Sequence, residues 1–155
     1  MSIYRMENYR NKIPFLNFPV KIDLGAGQYP KEGFLRLDFD PNSTDIIWDI
    51  TQGIPLPDNS VSELYSSHFL EHLTPTDFHY VLQEIFRVCQ PNAPVTLKVP
   101  HGDTPQGHLP CHYMRITEAT MEGIGLWFPE ESKIELQSIR REEYHLIGEF
   151  IIKKV

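Results

Sequence analysis

The chain has 155 residues, the size of one ordinary domain, and 41% of them are hydrophobic, which excludes a disordered polymer. Fourteen Lys and Arg against 21 Asp and Glu give a formal net charge of -7, which disfavours nucleic acid as a partner. The two cysteines, Cys89 and Cys111, are too few for a disulfide scaffold and lack metal-type spacing. Neither a signal peptide nor an apolar run of about 20 residues is visible. We therefore expect one soluble, cytoplasmic domain without membrane attachment.

The first half of the chain alternates strand-like runs with turns. Residues 1–19 mix aromatic and polar side chains without a clear period, and we expect them to form an N-terminal strap or a short helix. Val20–Leu24 alternates apolar and polar residues and ends at a glycine, which is typical of a strand entering a turn. Further strands are predicted at Phe34–Asp38, Asp45–Asp49 and Val61–Ser66.

A helix is predicted where the apolar period changes from two to three or four. Between Phe78 and Cys89 the apolar residues fall on one helical face, Thr76 is the predicted N-cap, and Pro91 ends the helix. The long loop that follows Gly102 and runs to Pro110 is a candidate site segment because loops of this length often carry function. The remaining predicted elements are a strand at Val95–Val99, a short helix at Thr117–Gly123, and strands at Lys133–Ile139 and Leu146–Val155.

These elements predict a Rossmann-like α/β fold. We expect an open, mostly parallel sheet with helices on both faces and an antiparallel C-terminal hairpin strand. Only six residues separate Gly27 from Phe34, whereas a helical crossover needs about a dozen, so the first crossover is predicted to be reduced. Ligands of such sheets bind at the carboxyl ends of the strands. Those ends carry Asp23, Gly25, Gly27, Asp38, Asp49, Ser67 and His68.

The residue types at these strand ends indicate a nucleoside site. Gly25 and Gly27 allow the backbone to approach a flat ligand, and Asp38 can accept hydrogen bonds from ribose hydroxyls. A dinucleotide such as NAD fits less well, because its pyrophosphate needs a third glycine and a helix N-terminus. The chain has Gln28-Tyr29-Pro30 at that point.

Four stretches resemble the class I S-adenosylmethionine-dependent methyltransferases, in their small, methyltransferase-type-11-like branch. They are VKIDLGAG (Val20–Gly27), Leu37-Asp38, the block from Trp48 to Leu73, and the block from Glu84 to Pro100. The resemblance covers about residues 20 to 100 and implies S-adenosylmethionine as cofactor. It also implies that Asp23, Gly25 and Gly27 line the methionine part, Asp38 holds the ribose, Asp49 and Ile50 border the adenine, and Ser67 and His68 lie beside the reacting centre.

The resemblance implies methyl transfer to an acceptor that the sequence does not identify, either a small molecule or a macromolecule. His68 is the predicted catalytic base or orienting residue. The alternative is a catalytically silent, methyltransferase-like domain that binds or regulates a partner, and the reduced first crossover favours it. The sequence does not indicate an oligomeric state.

The histidines are the remaining candidates for chemistry. His68, Glu71 and His72 have i, i+3, i+4 spacing, which suits a divalent metal on a helix. We nevertheless predict no metal, because capping or packing explains the Glu-His pair. The histidines that flank the long loop either contact substrate or are exposed and idle. They are His101, His108 and His112.

Overall fold

The computed structural model describes residues 16–42 and 44–155, which include one seven-stranded sheet. The strands are β1 (Val20–Leu24), β2 (Leu35–Asp38), β3 (Ile46–Ile47), β4 (Val61–Ser67), β5 (Pro94–Pro100), β6 (Lys133–Glu142) and β7 (His145–Lys153). The α-helices are α1 (Pro75–Val88) and α2 (Glu118–Gly123). Short 3-10 helices lie at Ile50–Gln52, Leu70–His72, Pro105–His108 and Ile124–Trp127.

The strand order is β3-β2-β1-β4-β5-β7-β6. The first five strands in this order pair in parallel, and β7 runs antiparallel to both of its neighbours. The chain reverses between β6 and β7 at Glu143-Tyr144, so these two strands form a hairpin longer than the sequence predicted. The Rossmann-like, mostly parallel sheet with an antiparallel C-terminal hairpin is confirmed.

Helix α1 is the main amphipathic element, and its N-cap, Thr74, lies two residues before the predicted cap. The Thr74 hydroxyl accepts from the Asp77 N–H at 3.2 Å, and Pro75 occupies the first helical position. Proline suits that position because its missing N–H would have no helical partner there. The predicted N-cap at Thr76 was therefore wrong. The buried face of α1 contains the apolar residues on which the prediction rested, namely Phe78, Val81, Leu82 and Ile85.

The two α-helices of the described residues cover one face of the sheet. The ring centroids of Phe78 in α1 and Trp127, which follows α2, are 5.9 Å apart, and the crossovers that contain the two helices run in the same direction. In β5, Val95 and Leu97 are buried while the alternating Lys98 is half-buried. Within the described residues, no α-helix covers the second face. The connections 25–34 and 39–45 are too short to hold one, which confirms the reduced first crossover.

The N-terminal segment is described only from Leu16 onward. Residues 16–19 are neither helix nor strand, and Leu16 packs against the core. The rest of the predicted strap, residues 1–15, lies outside the described residues. Among the helices of the described chain, not one combines the length and the apolar character needed to cross a membrane.

Candidate functional site

A cavity of about 430 Å³ lies where the carboxyl ends of β3, β2, β1 and β4 meet. Parallel strands bring these ends to one edge of the sheet, so residues distant in sequence become neighbours. Six predicted site residues line this cavity, namely Gly25, Gly27, Asp38, Asp49, Ile50 and His68. The other lining residues are Phe39, Trp48, Thr51, Phe69, His72 and Leu73.

The glycine loop after β1 requires two left-handed backbone conformations. The φ angles are 71° at Gly25 and 53° at Gly27, a region that favours glycine. A Cβ atom at Gly25 would lie 2.4 Å from Cγ of Phe69, so the missing side chain lets that ring pack against the loop. A Cβ at Gly27 would have only the Gly25 carbonyl oxygen nearby, at 3.9 Å, so Gly27 faces open space.

Two carboxylates hold this loop in place. The Gly27 N–H donates to Asp38 Oδ2 at 3.0 Å, and the Lys31 N–H donates to Asp23 Oδ2 at 2.7 Å. Asp38 also lines the cavity, whereas Asp23 is fully buried and is not part of the cavity wall. Burial raises the pKa of Asp23, against the effect of the hydrogen bond from Lys31. The structure thus adds a loop-supporting role for both residues, and the cofactor contacts predicted for them stay predictions.

The wall opposite the loop is largely apolar. Asp49 caps the 3-10 helix that follows it, and its Oδ1 accepts from the Thr51 N–H at 3.1 Å and from the Thr51 hydroxyl at 2.7 Å. This cap places buried Ile50 against the cavity. The indole N–H of Trp48 donates to the Gly53 carbonyl oxygen at 2.8 Å, which fixes that ring in the wall. A flat, apolar ring with a polar edge fits between such surfaces.

His68 stands between this cavity and a second one of about 610 Å³. The second cavity also contains Ser67, Lys98 and Tyr144 in its wall. His68 has φ of 53°, an uncommon conformation for a residue with a side chain, and its N–H donates to the Lys98 carbonyl oxygen at 2.9 Å. Its ring lies edge-on to His145, with centroids 4.9 Å apart. A ring nitrogen at this junction can accept or orient a proton between two bound molecules.

Glu71 and His72 follow in the short 3-10 helix. The Glu71 side chain is only 1% exposed, and its Oε1 lies 3.4 Å from Nδ1 of His68 and 3.9 Å from Nε2 of His72. The three residues predicted to share one helical face are therefore close together, although His68 directly follows β4 and is not part of a helix.

The loop histidines have different environments. His101 is 1% exposed; its Nδ1 accepts from the Asp103 N–H at 3.1 Å, and its Nε2 lies 2.8 Å from Oε2 of Glu118. The exposed, idle interpretation was thus wrong for His101, which anchors the loop to α2. His108 is exposed beside Arg115, and His112 packs edge-on against His72 with centroids 4.7 Å apart.

Sequence reasoning missed several wall residues. Phe39 directly follows Asp38 and is 64% exposed, and an aromatic side chain after a strand-end carboxylate is the signal that could have identified it. Phe69 enters the wall because Gly25 leaves room for it. Thr51 and Leu73 carried no comparable signal.

Comparison with known proteins identifies this arrangement. The profile of the methyltransferase domain family, type 11, matches residues 23–97. This match confirms the resemblance to the type-11-like class I methyltransferases. No curated protein matches the chain at a significant level.

Solved methyltransferase structures share the fold of this domain. An S-adenosylmethionine-dependent methyltransferase from Archaeoglobus fulgidus is 14% identical with a TM-score of 0.64, and the alignment covers 96% of this chain and 93% of that one. For such a methyltransferase from Aquifex aeolicus the identity is 16%, the TM-score 0.61 and the coverages 97% and 94%. A third match is a complex of the Haloferax volcanii Trm112 methyltransferase activator with a protein assigned as a methyltransferase. Here the identity is 15%, the TM-score is 0.61, and the alignment covers 94% of this chain and 90% of that one.

S-adenosylmethionine is the cofactor of this family, and the cavity fits its chemistry. The cofactor has a sulfonium cation, an amino group and an adenosine, but no phosphate. Among the lining residues that the structure describes, Asp38 and Asp49 supply carboxylates and none is Lys or Arg. A cationic ligand with an apolar ring is thus better matched than a phosphate-bearing one.

Proposed function

We propose that this domain transfers a methyl group from S-adenosylmethionine to an acceptor. The observation that carries the proposal is the cavity itself, in which the glycine loop and Asp38 face an apolar wall at the carboxyl ends of four parallel strands. Such a cavity has room for a nucleoside despite the reduced first crossover. This favours an enzyme over a catalytically silent binding domain.

Each wall of the cavity has a proposed role in cofactor binding. Asp38 accepts hydrogen bonds from the ribose hydroxyls, using the lone pairs that the loop N–H groups leave free. Asp49 and Ile50 border the adenine, between Trp48 and Phe39. The loop backbone receives the methionine part, and buried Asp23 supports that loop from behind.

The reaction we propose is an in-line displacement at the methyl carbon. The acceptor enters through the second cavity, which shares the glycine loop and His68 with the first. Ser67 and His68 then lie beside the reacting centre, and His68 orients the acceptor or accepts its proton. Most of the rate enhancement comes from proximity and orientation of the two reactants.

Calorimetric titration with S-adenosylhomocysteine tests the cofactor site. Asp38→Ala should lower the affinity at least about tenfold, equivalent to roughly 1.4 kcal/mol, because both the ribose contact and the Gly27 hydrogen bond are lost. Glu32→Ala removes an exposed carboxylate from the β1–β2 connection, which also contains Gly27, and serves as the control. Equal affinities for both variants and the wild type would exclude Asp38 from the site.

A thermal-shift comparison tests the class of function. S-adenosylhomocysteine at about 100 times its dissociation constant should add about 2.7 kcal/mol to the free energy of unfolding, whereas NAD should add nothing. No shift with S-adenosylhomocysteine would contradict the proposal and favour the silent binding domain.

A further inference from the structure

Two residues of the long β5–β6 connection, Cys111 and His112, meet His72 at the edge of the cofactor cavity. Each of the three side chains offers one ligand atom, and these atoms all lie within 4.8 Å of one another. All seven histidines and both cysteines belong to the described residues. Within the described part of the chain, these are the three His, Cys, Asp or Glu side chains whose ligand atoms lie within this distance of one another. We propose that it binds a zinc ion.

The donor set and its spacing suit zinc. Two imidazoles and one thiolate match the borderline-soft character of Zn²⁺, which binds nitrogen at about 2.0 Å and sulfur at about 2.3 Å. Around a tetrahedral ion, such ligand atoms are roughly 3.3 to 3.6 Å apart. The ligand atoms lie within 4.8 Å of one another, which exceeds that arrangement by about 1.5 Å at most. Side-chain rotation covers this difference because His72 and Cys111 are exposed.

His72 is oriented as a metal-binding histidine usually is. Its Nδ1 lies 3.0 Å from the backbone carbonyl oxygen of Cys111. In the tautomer that donates this hydrogen bond, Nε2 carries the lone pair that a metal requires. The same contact holds the backbone of the β5–β6 connection against the 3-10 helix, so the three side chains are brought together by the fold.

Unpartnered polar atoms provide an independent indication of a cation site. Nδ1 of His112 is buried and has no hydrogen-bond partner among the described residues. Neither carboxylate oxygen of Glu71 has a hydrogen-bond partner among the described residues either, although the side chain is only 1% exposed. Oε1 of Glu71 lies 3.9 Å from Nε2 of His72. A buried carboxylate without hydrogen bonds is costly, and a nearby divalent cation would offset that cost.

The sequence-based prediction of no metal weighed a different set of residues. It considered His68, Glu71 and His72, whereas the proposed ligands combine His72 with two residues about forty positions further along the chain. Glu71 becomes the buried charge beside the ion and is not one of its three ligands.

The consequence for catalysis rests on the proposed function. Zinc held by three protein ligands keeps a fourth position for water or a substrate atom. A thiol or hydroxyl acceptor bound there would lose its proton to solvent more readily. Its lone pair would form the new bond to the methyl carbon. The electrons of the broken carbon–sulfur bond would return to the cofactor sulfur, which leaves as a thioether.

Zinc titration against a chromophoric chelator tests the site without any methyl transfer. The metal-free wild-type chain should bind one zinc ion, and its Co²⁺ form should show thiolate-to-cobalt absorption. Cys111→Ser should lose that absorption. Both Cys111→Ser and His112→Gln should bind zinc at least about tenfold more weakly than the wild type. His79→Ala removes an exposed histidine of α1 outside the group and should bind like the wild type.

Either of two results would overturn the zinc site: no stoichiometric zinc in the wild type, or unchanged affinity and absorption in Cys111→Ser. Cys111 is exposed, so its serine variant should fold, and it decides the question if His112→Gln does not. Titration with S-adenosylhomocysteine on the same samples separates the two proposals. Zinc binding without cofactor binding leaves the site standing and contradicts the proposed function.

Discussion

The two glycines of the cofactor loop provide a matched pair of substitutions. Gly25 and Gly27 both have left-handed φ angles, 71° and 53°, so an alanine at either position carries a similar backbone cost. Their surroundings differ, because a Cβ at Gly25 would lie 2.4 Å from Cγ of Phe69, whereas a Cβ at Gly27 would meet one carbonyl oxygen at 3.9 Å. Steric overlap is therefore expected in one variant only.

The expected changes in the free energy of unfolding follow from these distances. A left-handed conformation costs a residue with a side chain about 1 to 2 kcal/mol. Overpacking against Phe69 adds about 1 to 3 kcal/mol at Gly25. Gly25→Ala should thus be destabilised by about 2 to 5 kcal/mol and Gly27→Ala by about 1 to 2 kcal/mol. Urea denaturation with an unchanged m-value measures both.

Cofactor affinity should respond differently from stability. The added methyl group at Gly27 enters the space between the two cavities, so Gly27→Ala should weaken S-adenosylhomocysteine binding by about tenfold. Gly27→Val should abolish binding, because the larger side chain fills more of that space. A Gly25→Ala variant as stable as Gly27→Ala would refute the steric argument, and a Gly27→Val variant that binds normally would place the cofactor elsewhere.

Three further predictions concern other parts of the domain. Arg87 donates to two carbonyl oxygens of the preceding loop, at 2.8 and 3.0 Å, so Arg87→Ala should lower the free energy of unfolding by about 2 kcal/mol in urea. Hydrogen bonds from Arg141 and His101 lower the pKa of Glu118 to about 2 from 4.5, so its stabilising effect is complete above pH 4.5 and is lost as the pH falls towards 2. The advantage of the wild type over Glu118→Gln, measured by urea denaturation, should shrink over that range. Burial raises the pKa of the Cys89 thiol to about 12, so a thiol reagent should modify only exposed Cys111 in the native, metal-free chain.

The fold was predictable where local periodicity reflects burial. Strand β1 was located correctly because alternation distinguishes its faces, and α1 because its apolar residues recur at helical spacing. Its first residue was missed because Thr74-Pro75-Thr76 offers two candidate caps, and only the geometry of Pro75 decides between them. Strand β3 is shorter than the predicted strand Asp45–Asp49, since only Ile46 and Ile47 pair with β2.

The candidate site was predictable where strand ends determine it. Asp38, Asp49 and His68 each end or follow a parallel strand, and such ends converge whatever the intervening loops do. The approach of His112 to His72 depends instead on the path of a long loop, which no local pattern encodes. For the same reason, the burial of His101 against Glu118 could not be read from the sequence.

The reduced first crossover changes how the cofactor loop is supported. Where a helix follows the glycines, its first turn can fix the loop, but here the connection 25–34 contains turns only. Two carboxylates take over this role: Asp38 accepts from the Gly27 N–H at one end, and Asp23 accepts from the Lys31 N–H at the other. Hydrogen bonds to charged acceptors are worth about 1.5 to 3 kcal/mol each, which is enough to order a short loop without a helix. A short crossover is therefore compatible with a formed cavity, and the loop should loosen when either carboxylate is removed.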